Sequence, residues 1–135
     1  MNAAQQELVQ STFARLAVMP EVVGALFYER LFATNPSFRP LFKNDMRVQV
    51  GRLITMLAMV VYNLHEPGPI LPTIRKLAVR HIEYGVKPAD YDALREALIW
   101  TLEQVLGEDL TASVRDAWTV CYNELADEMK AAARV

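Results

Sequence analysis

Features of secreted, membrane-spanning and nucleic-acid-binding proteins are scarce in this sequence. It has one cysteine, Cys121, so no disulfide can form within the chain, as is usual in a reducing compartment. The longest apolar run, from Met56 to Tyr62, is too short to cross a bilayer. Basic residues are scattered and the net charge is −2, which argues against a nucleic-acid partner. The start, Met1 to Glu7, lacks the regions of a secretory signal, so we expect a cytoplasmic protein.

The composition is that of a folded helical protein. Hydrophobic residues make up 53% of the 135 and charged residues 22%, enough apolar surface for one sizeable core. Prolines and glycines separate segments in which apolar residues recur with helical spacing, and no segment alternates with a period of two. We therefore predict one all-α domain over residues 1–135.

Six helices are predicted between the prolines and glycines, with a short apolar turn at 36–42. The first two are expected at Ala3–Val18 and Glu21–Ala33, and the fifth at Ala89–Leu106. The third is a long helix that Asn44 or Asp45 caps and that runs to about Leu64, and Thr111 caps the last. The fourth lies around His81, with Pro72 in its first turn and Gly85 beyond its end.

His81 has the most informative setting of the two histidines. Ile74, Leu77, Ala78 and His81 fall at i, i+3, i+4 and i+7, so the imidazole lies on the apolar stripe of its helix. A neutral imidazole in an apolar wall is a good iron ligand. A lone histidine on such a face is more often a hydrogen-bonded core residue, and this segment alone leaves both interpretations open.

Two other polar side chains share a face with apolar ones. Gln49 begins a stripe that continues through Leu53 and Leu57, and Tyr28 shares its face with Leu31. A buried phenol or amide needs a hydrogen-bond partner. That partner can be a ligand, the other of these two side chains, or the backbone.

Five strings follow one another along the chain in a distinctive order: Leu26–Phe32, Phe38–Phe42, Arg80–Val86, Asp90–Tyr91 and Ala117–Trp118. In their order and spacing they resemble the globin family, and most closely the single-domain bacterial haemoglobins and the haem domain of flavohaemoglobins. The resemblance covers essentially the whole chain and implies a globin fold, three helices packed over three, with haem b in a cleft between the Gln49 and His81 helices.

The resemblance also implies roles for individual residues. His81 would be the proximal ligand of the iron, with its second ring nitrogen donating to a carbonyl of its own helix. Phe42 matches the phenylalanine that stacks on the porphyrin, and Leu53 would wall the pocket. Tyr28 and Gln49 fall on the distal positions and would donate hydrogen bonds to bound oxygen.

The proximal side departs from the resembled families. Tyr91 matches a tyrosine that accompanies the proximal histidine there, but the position of a glutamate near the C-terminus falls on Ala133. Glu128 lies about 140° away round a helix and is a poor substitute. The departure argues against strong peroxidase-like chemistry and leaves Tyr91 either in the haem site or simply in the core.

Other basic residues and the second histidine have weaker assignments. His65 stands about 24 Å along the helix from Gln49, so it is not expected as a sixth ligand and ferrous iron should be five-coordinate. Arg47, Lys76 and Arg80 are candidates for contact with the haem propionates, although exposed basic residues usually only solvate a surface.

The resemblance implies reversible binding of O2, and of CO and NO, by a monomer or weak homodimer. We expect no flavin or nicotinamide domain after Val135, so that nitric-oxide dioxygenation would require a separate reductase. Oxygen storage or transport and haem-based sensing are alternatives. A haem-free interaction module is a further alternative, and it predicts loss of the axial histidine or a filled cleft.

Overall fold

The computed structural model describes residues 1–43 and 45–133, and within these ranges the regular structure is helical, without strands. The predicted all-α class is confirmed. The α-helices are α1 (Ala3–Ala17), α2 (Pro20–Thr34), α3 (Met46–Val61), α4 (Leu71–Glu83), α5 (Asp90–Leu106) and α6 (Ala112–Ala133), with short 3-10 segments at Pro36–Leu41, Gly68–Ile70 and Gly107–Asp109.

Side-chain caps explain where several helices begin. The Asn2 side chain accepts a hydrogen bond from the backbone N–H of Gln5 at 2.8 Å, and the Gln5 side chain accepts one from the backbone N–H of Asn2 at 3.0 Å, which forms a capping box. Asp45 caps α3, while the alternative cap Asn44 lies outside the described residues. Thr111 accepts from the backbone of the first turn of α6 at 3.3 Å, as predicted.

The end of α3 differs from the prediction. The helix stops at Val61 instead of Leu64. The Asn63 side-chain amide donates to the Met59 carbonyl at 2.6 Å, while the Asn63 backbone N–H bonds to Val60 in a 3-10 turn. A short amide side chain competes with the backbone for its carbonyls, and this competition ends the helix early.

The helices pack in two layers of three. The most extensive packing joins α2 to α5, α4 to α6 and α1 to α6, while α3 packs against α1 and α2. Trp118 lies at the centre, fully buried, and its indole N–H donates to the Thr12 hydroxyl at 2.8 Å, which satisfies the polar atom of that ring. Among helices in the described ranges, none has the length and apolar character needed to cross a bilayer.

Gly24 sets the distance between α2 and α3. A Cβ at this position would overlap both γ-methyl groups of Val50. Tyr28 lies one turn after Gly24, and Gln49 immediately precedes Val50. The close crossing therefore brings these two polar side chains to the same place in the fold.

Replacing Gly24 with alanine should destabilise the protein despite the better helix propensity of alanine. Overpacking a close contact typically costs about 1–3 kcal/mol, against a propensity gain of about 1 kcal/mol. Gly51 is the matched control, since its Cβ would meet nothing within 4 Å, and Gly51→Ala should stabilise by up to about 1 kcal/mol. Chemical denaturation of both variants measures the difference, and equal shifts would contradict the close crossing.

Candidate functional site

A cavity of about 800 Å³ lies between α3 and α4, at the upper end of the usual range for small-molecule sites. Its inner wall is apolar and comes from α2, α3, α5 and α6. Protein interiors are close-packed and contain few voids larger than a water molecule, so a space of this size indicates a large and mainly apolar ligand. The inner wall includes Phe27, Leu57, Leu98, Leu125 and Met129.

His81 stands on the α4 side of this cavity with a defined tautomer. Its Nδ1 lies 2.7 Å from the Leu77 carbonyl oxygen one turn earlier, and a carbonyl only accepts, so Nδ1 carries the hydrogen. Nε2 is left with its lone pair. Burial lowers the pKa of the imidazole and outweighs the opposing hydrogen bond to Leu77, so the ring is held in the neutral form that can bind a metal.

Gly85 ends the His81 helix against the 3-10 segment. Its φ of +95° is in the left-handed region, and the next residue, Val86, donates its backbone N–H to the His81 carbonyl at 2.9 Å. A Cβ on Gly85 would lie 3.2 Å from the Leu41 side chain. The turn therefore fixes where α4 stops and how it meets residues 36–41.

Two tyrosine rings flank His81. The Tyr91 ring is stacked on the imidazole at 6.4 Å between centroids, with 23° between the planes, and the Tyr84 ring lies 6.2 Å away and tilted. Tyr122 of α6 donates its hydroxyl to the Tyr91 backbone carbonyl at 2.6 Å, which ties the start of α5 to α6. The sequence did not predict Tyr84 or Tyr122 as site residues. Its one signal was the three-residue spacing from His81 to Tyr84, which places both side chains on the same side of a helix.

The C-terminal part of α6 has an alanine, Ala133, where the resembled families have a glutamate. Ala133 is the last described residue of the helix, and Glu128 is exposed and lies off the cavity wall. A lysine does lie beside the tyrosine, since the Lys130 Nζ is 5.8 Å from the centroid of the Tyr91 ring. The sequence predicted no role for this lysine.

On the opposite side, Tyr28 and Gln49 are brought together. The Tyr28 hydroxyl donates to the Gln49 backbone carbonyl at 3.4 Å, which is long for a hydroxyl donor and therefore weak. Burial raises the pKa of Tyr28 to about 12, so the phenol keeps its proton. The half-buried Gln49 also lines the cavity. Of the three partners that the sequence allowed for the Tyr28 hydroxyl, the structure therefore shows a backbone carbonyl. The bond is weak enough for a better acceptor to replace it.

Phenylalanines hold the Tyr28 ring in place. Phe27 and Phe42 meet it edge-on at 5.0 and 5.4 Å, and Phe32 stacks on it at 6.0 Å. Phe42 follows the 3-10 segment and also lines the cavity, as does Leu53, one turn after Gln49. All six site residues that the sequence predicted therefore line a single cavity (Tyr28, Phe42, Gln49, Leu53, His81 and Tyr91).

The family model for globins matches residues 25–129, which span every one of these side chains. This chain belongs to the globin family. Curated relatives include flavohemoproteins from Bordetella parapertussis, 32% identical over 89% of this chain, and from Bacillus subtilis, 26% identical over 90%. The chain spans about a third of the length of these relatives, 31% in both cases.

Solved structures show the same fold at lower identity. An engineered carbene transferase from Rhodothermus marinus superimposes with a TM-score of 0.90 at 24% identity, covering 99% of this chain and 94% of that one. A bacterial globin from Campylobacter jejuni superimposes with a TM-score of 0.88 at 20% identity, covering 98% and 96%. The predicted globin fold is confirmed.

The mouth of the globin cavity is charged. Arg80 lines it, together with Lys43 and Arg52, for which the sequence predicted no role. Arg52 lies three residues after Gln49, and that helical spacing would have been a usable signal. Arg47 and Lys76, the other two candidates for this role, are exposed and lie off the cavity wall.

Proposed function

We propose that this globin holds haem in the cavity and binds a diatomic gas, O2 foremost, on the side that faces Tyr28 and Gln49. The observation that carries the proposal is the geometry of His81. Its Nδ1 is engaged by Leu77, its ring is neutral, and its position on an apolar cavity wall suits a single metal bond from Nε2.

The other residues of the cavity fit the group. Haem b is a wide apolar plane with two carboxylates at one edge, and the cavity pairs an apolar interior with three exposed basic side chains of its lining, Lys43, Arg52 and Arg80. We propose that Phe42 packs on the porphyrin, that Leu53 walls the distal side, and that the basic side chains contact the propionates. His65 is exposed beyond the end of α3, which supports a sixth position free of histidine.

Haem would supply an iron with one position for O2, CO or NO. The protein supplies the surroundings. The hydrogen bond from Nδ1 to Leu77 and the stacked Tyr91 ring hold the imidazole plane on one side. On the other side Tyr28 keeps its proton because of its raised pKa, so it remains a donor over the physiological pH range. Gln49 offers a second donor from α3.

The cellular role that we propose within this activity is nitric-oxide dioxygenation, the conversion of NO and O2 to nitrate. The curated relatives named above are flavohemoproteins, and this chain spans a third of their length. Each turnover consumes one electron, which we propose that a separate reductase supplies. Sustained NO consumption only when such a reductase is added would support this role, whereas slow re-reduction would favour oxygen storage or sensing.

The first experiment is the visible absorption spectrum of the haem-reconstituted protein. After reduction with dithionite, desalting and exposure to air, a five-coordinate ferrous spectrum should convert to a persistent oxy form. A six-coordinate spectrum before air is admitted would contradict the free gas position. A protein that retains no haem would overturn the proposal and favour a haem-free interaction module.

A further inference from the structure

We propose that the positive charge of Lys130 raises the reduction potential of haem bound to His81, so that the gas-binding ferrous state is favoured. The inference rests on the proposed haem-binding function. It concerns a side chain that acts by its positive charge from a place beside the Tyr91 ring.

Three side chains form a short series on the proximal side of the cavity, in the order His81, Tyr91 and Lys130. The Tyr91 ring is stacked on His81, and the Lys130 Nζ lies 5.8 Å from the centroid of the Tyr91 ring, within the range of a cation–π contact. The two ends of the series are on α4 and α6, which pack extensively against each other. The hydrogen bond from Tyr122 to the Tyr91 carbonyl fixes the middle of the series.

The place of Lys130 on its helix supports a role in the site. Leu125, Ala126 and Met129 line the cavity, and Lys130 is half-buried directly after them. The opposite surface of this part of α6, at 127, 128 and 131, is exposed. The Lys130 ammonium lies beside the cavity wall, since the Tyr91 ring that it contacts lines the cavity.

Charge at this distance is large enough to affect a redox equilibrium. The two centroid distances place the ammonium at most about 12 Å from the His81 ring, where an effective dielectric constant of about 20 gives about a tenfold effect on a one-charge equilibrium. Ferric haem carries one more positive charge than ferrous haem, so a nearby cation disfavours it. One electron from the reductant then enters the haem more easily.

Two carboxylates also line the cavity, those of Glu83 and Asp90, and their negative charges would act against that of the lysine. Glu83 lines the cavity but is exposed, which lets solvent screen its charge. The Asp90 carboxylate accepts a hydrogen bond from the Lys87 backbone N–H at 2.8 Å, which holds it at the N-terminus of α5.

The test is the midpoint potential of the haem-loaded protein, measured by spectroelectrochemistry. In Lys130→Met, which keeps the apolar stem, the ferric-to-ferrous ratio at the wild-type midpoint should rise about tenfold, equivalent to about 59 mV for a one-electron couple. Lys130→Arg retains the charge and should keep the wild-type potential. Lys76→Met is the matched control, because it removes an exposed cation of α4 that solvent screens.

The outcomes separate this inference from the proposed function. If Lys130→Met and Lys76→Met shift the midpoint equally while both bind haem, the inference is wrong and haem binding stands. If the wild-type protein retains no haem, both are wrong. Lys130→Gln takes the place of Lys130→Met in the same comparison if the methionine variant does not fold.

Discussion

A His81→Leu variant should fail to retain haem through gel filtration, with at least about a hundredfold loss of haem affinity. Changing an outer-shell partner of a metal ligand typically weakens binding 10- to 100-fold, and His81 would be the ligand itself. Leucine has a similar volume and suits the apolar wall, so the apoprotein should remain folded. The absorbance of the haem Soret band relative to protein, before and after gel filtration, measures the loss.

Two variants separate a ligand from a core histidine. His65→Leu removes the exposed second histidine and should retain haem as the wild type does. His81→Gly leaves space at the same wall, and added imidazole should restore the spectrum. If His81 served only to bond Leu77 within the core, His81→Leu would lower the free energy of unfolding and leave haem retention intact, which would contradict the assignment.

A Tyr28→Phe variant should release O2 about 10- to 100-fold faster than the wild type. A hydrogen bond to a charged group contributes about 1.5–3 kcal/mol, and bound dioxygen carries partial negative charge that a buried phenol can stabilise. The change should cost little stability, because the bond that the hydroxyl makes to the Gln49 carbonyl is long at 3.4 Å. Stopped-flow measurement of O2 dissociation gives the rates.

Carbon monoxide is the internal control, because it carries little charge and its dissociation should change much less. Tyr62→Phe removes an exposed phenol and should leave both rates unchanged. Gln49→Leu tests the second donor. An unchanged O2 rate in Tyr28→Phe with a large increase in Gln49→Leu would make Gln49 the main donor, and unchanged rates in both would refute distal stabilisation.

Much of the helical framework was predictable because its causes are local. Asp45 and Thr111 cap helices through bonds to residues two or three positions away, and Gly85 ends α4 by its left-handed backbone. The Leu77 carbonyl was similarly predictable as the acceptor for His81, since the two are four residues apart on one helix. The overlong prediction for α3 failed for an equally local reason, the side-chain bond of Asn63 to Met59.

The proximal surroundings were not predictable in the same way. Tyr91 was placed by resemblance, but its stacking on His81 depends on the angle between α4 and α5. Lys130 reaches that ring from α6, thirty-nine positions along the chain, and nothing in its own segment distinguishes it from a surface lysine. Lys43 and Arg52 likewise reach the cavity mouth only because of how α3 packs.

Helix identity, helix ends and the apolar stripe that carries His81 thus follow from the amino-acid sequence, because caps, breakers and helical periodicity act within a few residues. The choice of which polar groups face each other depends on packing. Tyr28 meets Gln49 because Gly24 lets α2 approach Val50, and Lys130 meets Tyr91 because α6 crosses α4 and α5. These distances arise from contacts between residues far apart in the chain, and periodicity does not encode them.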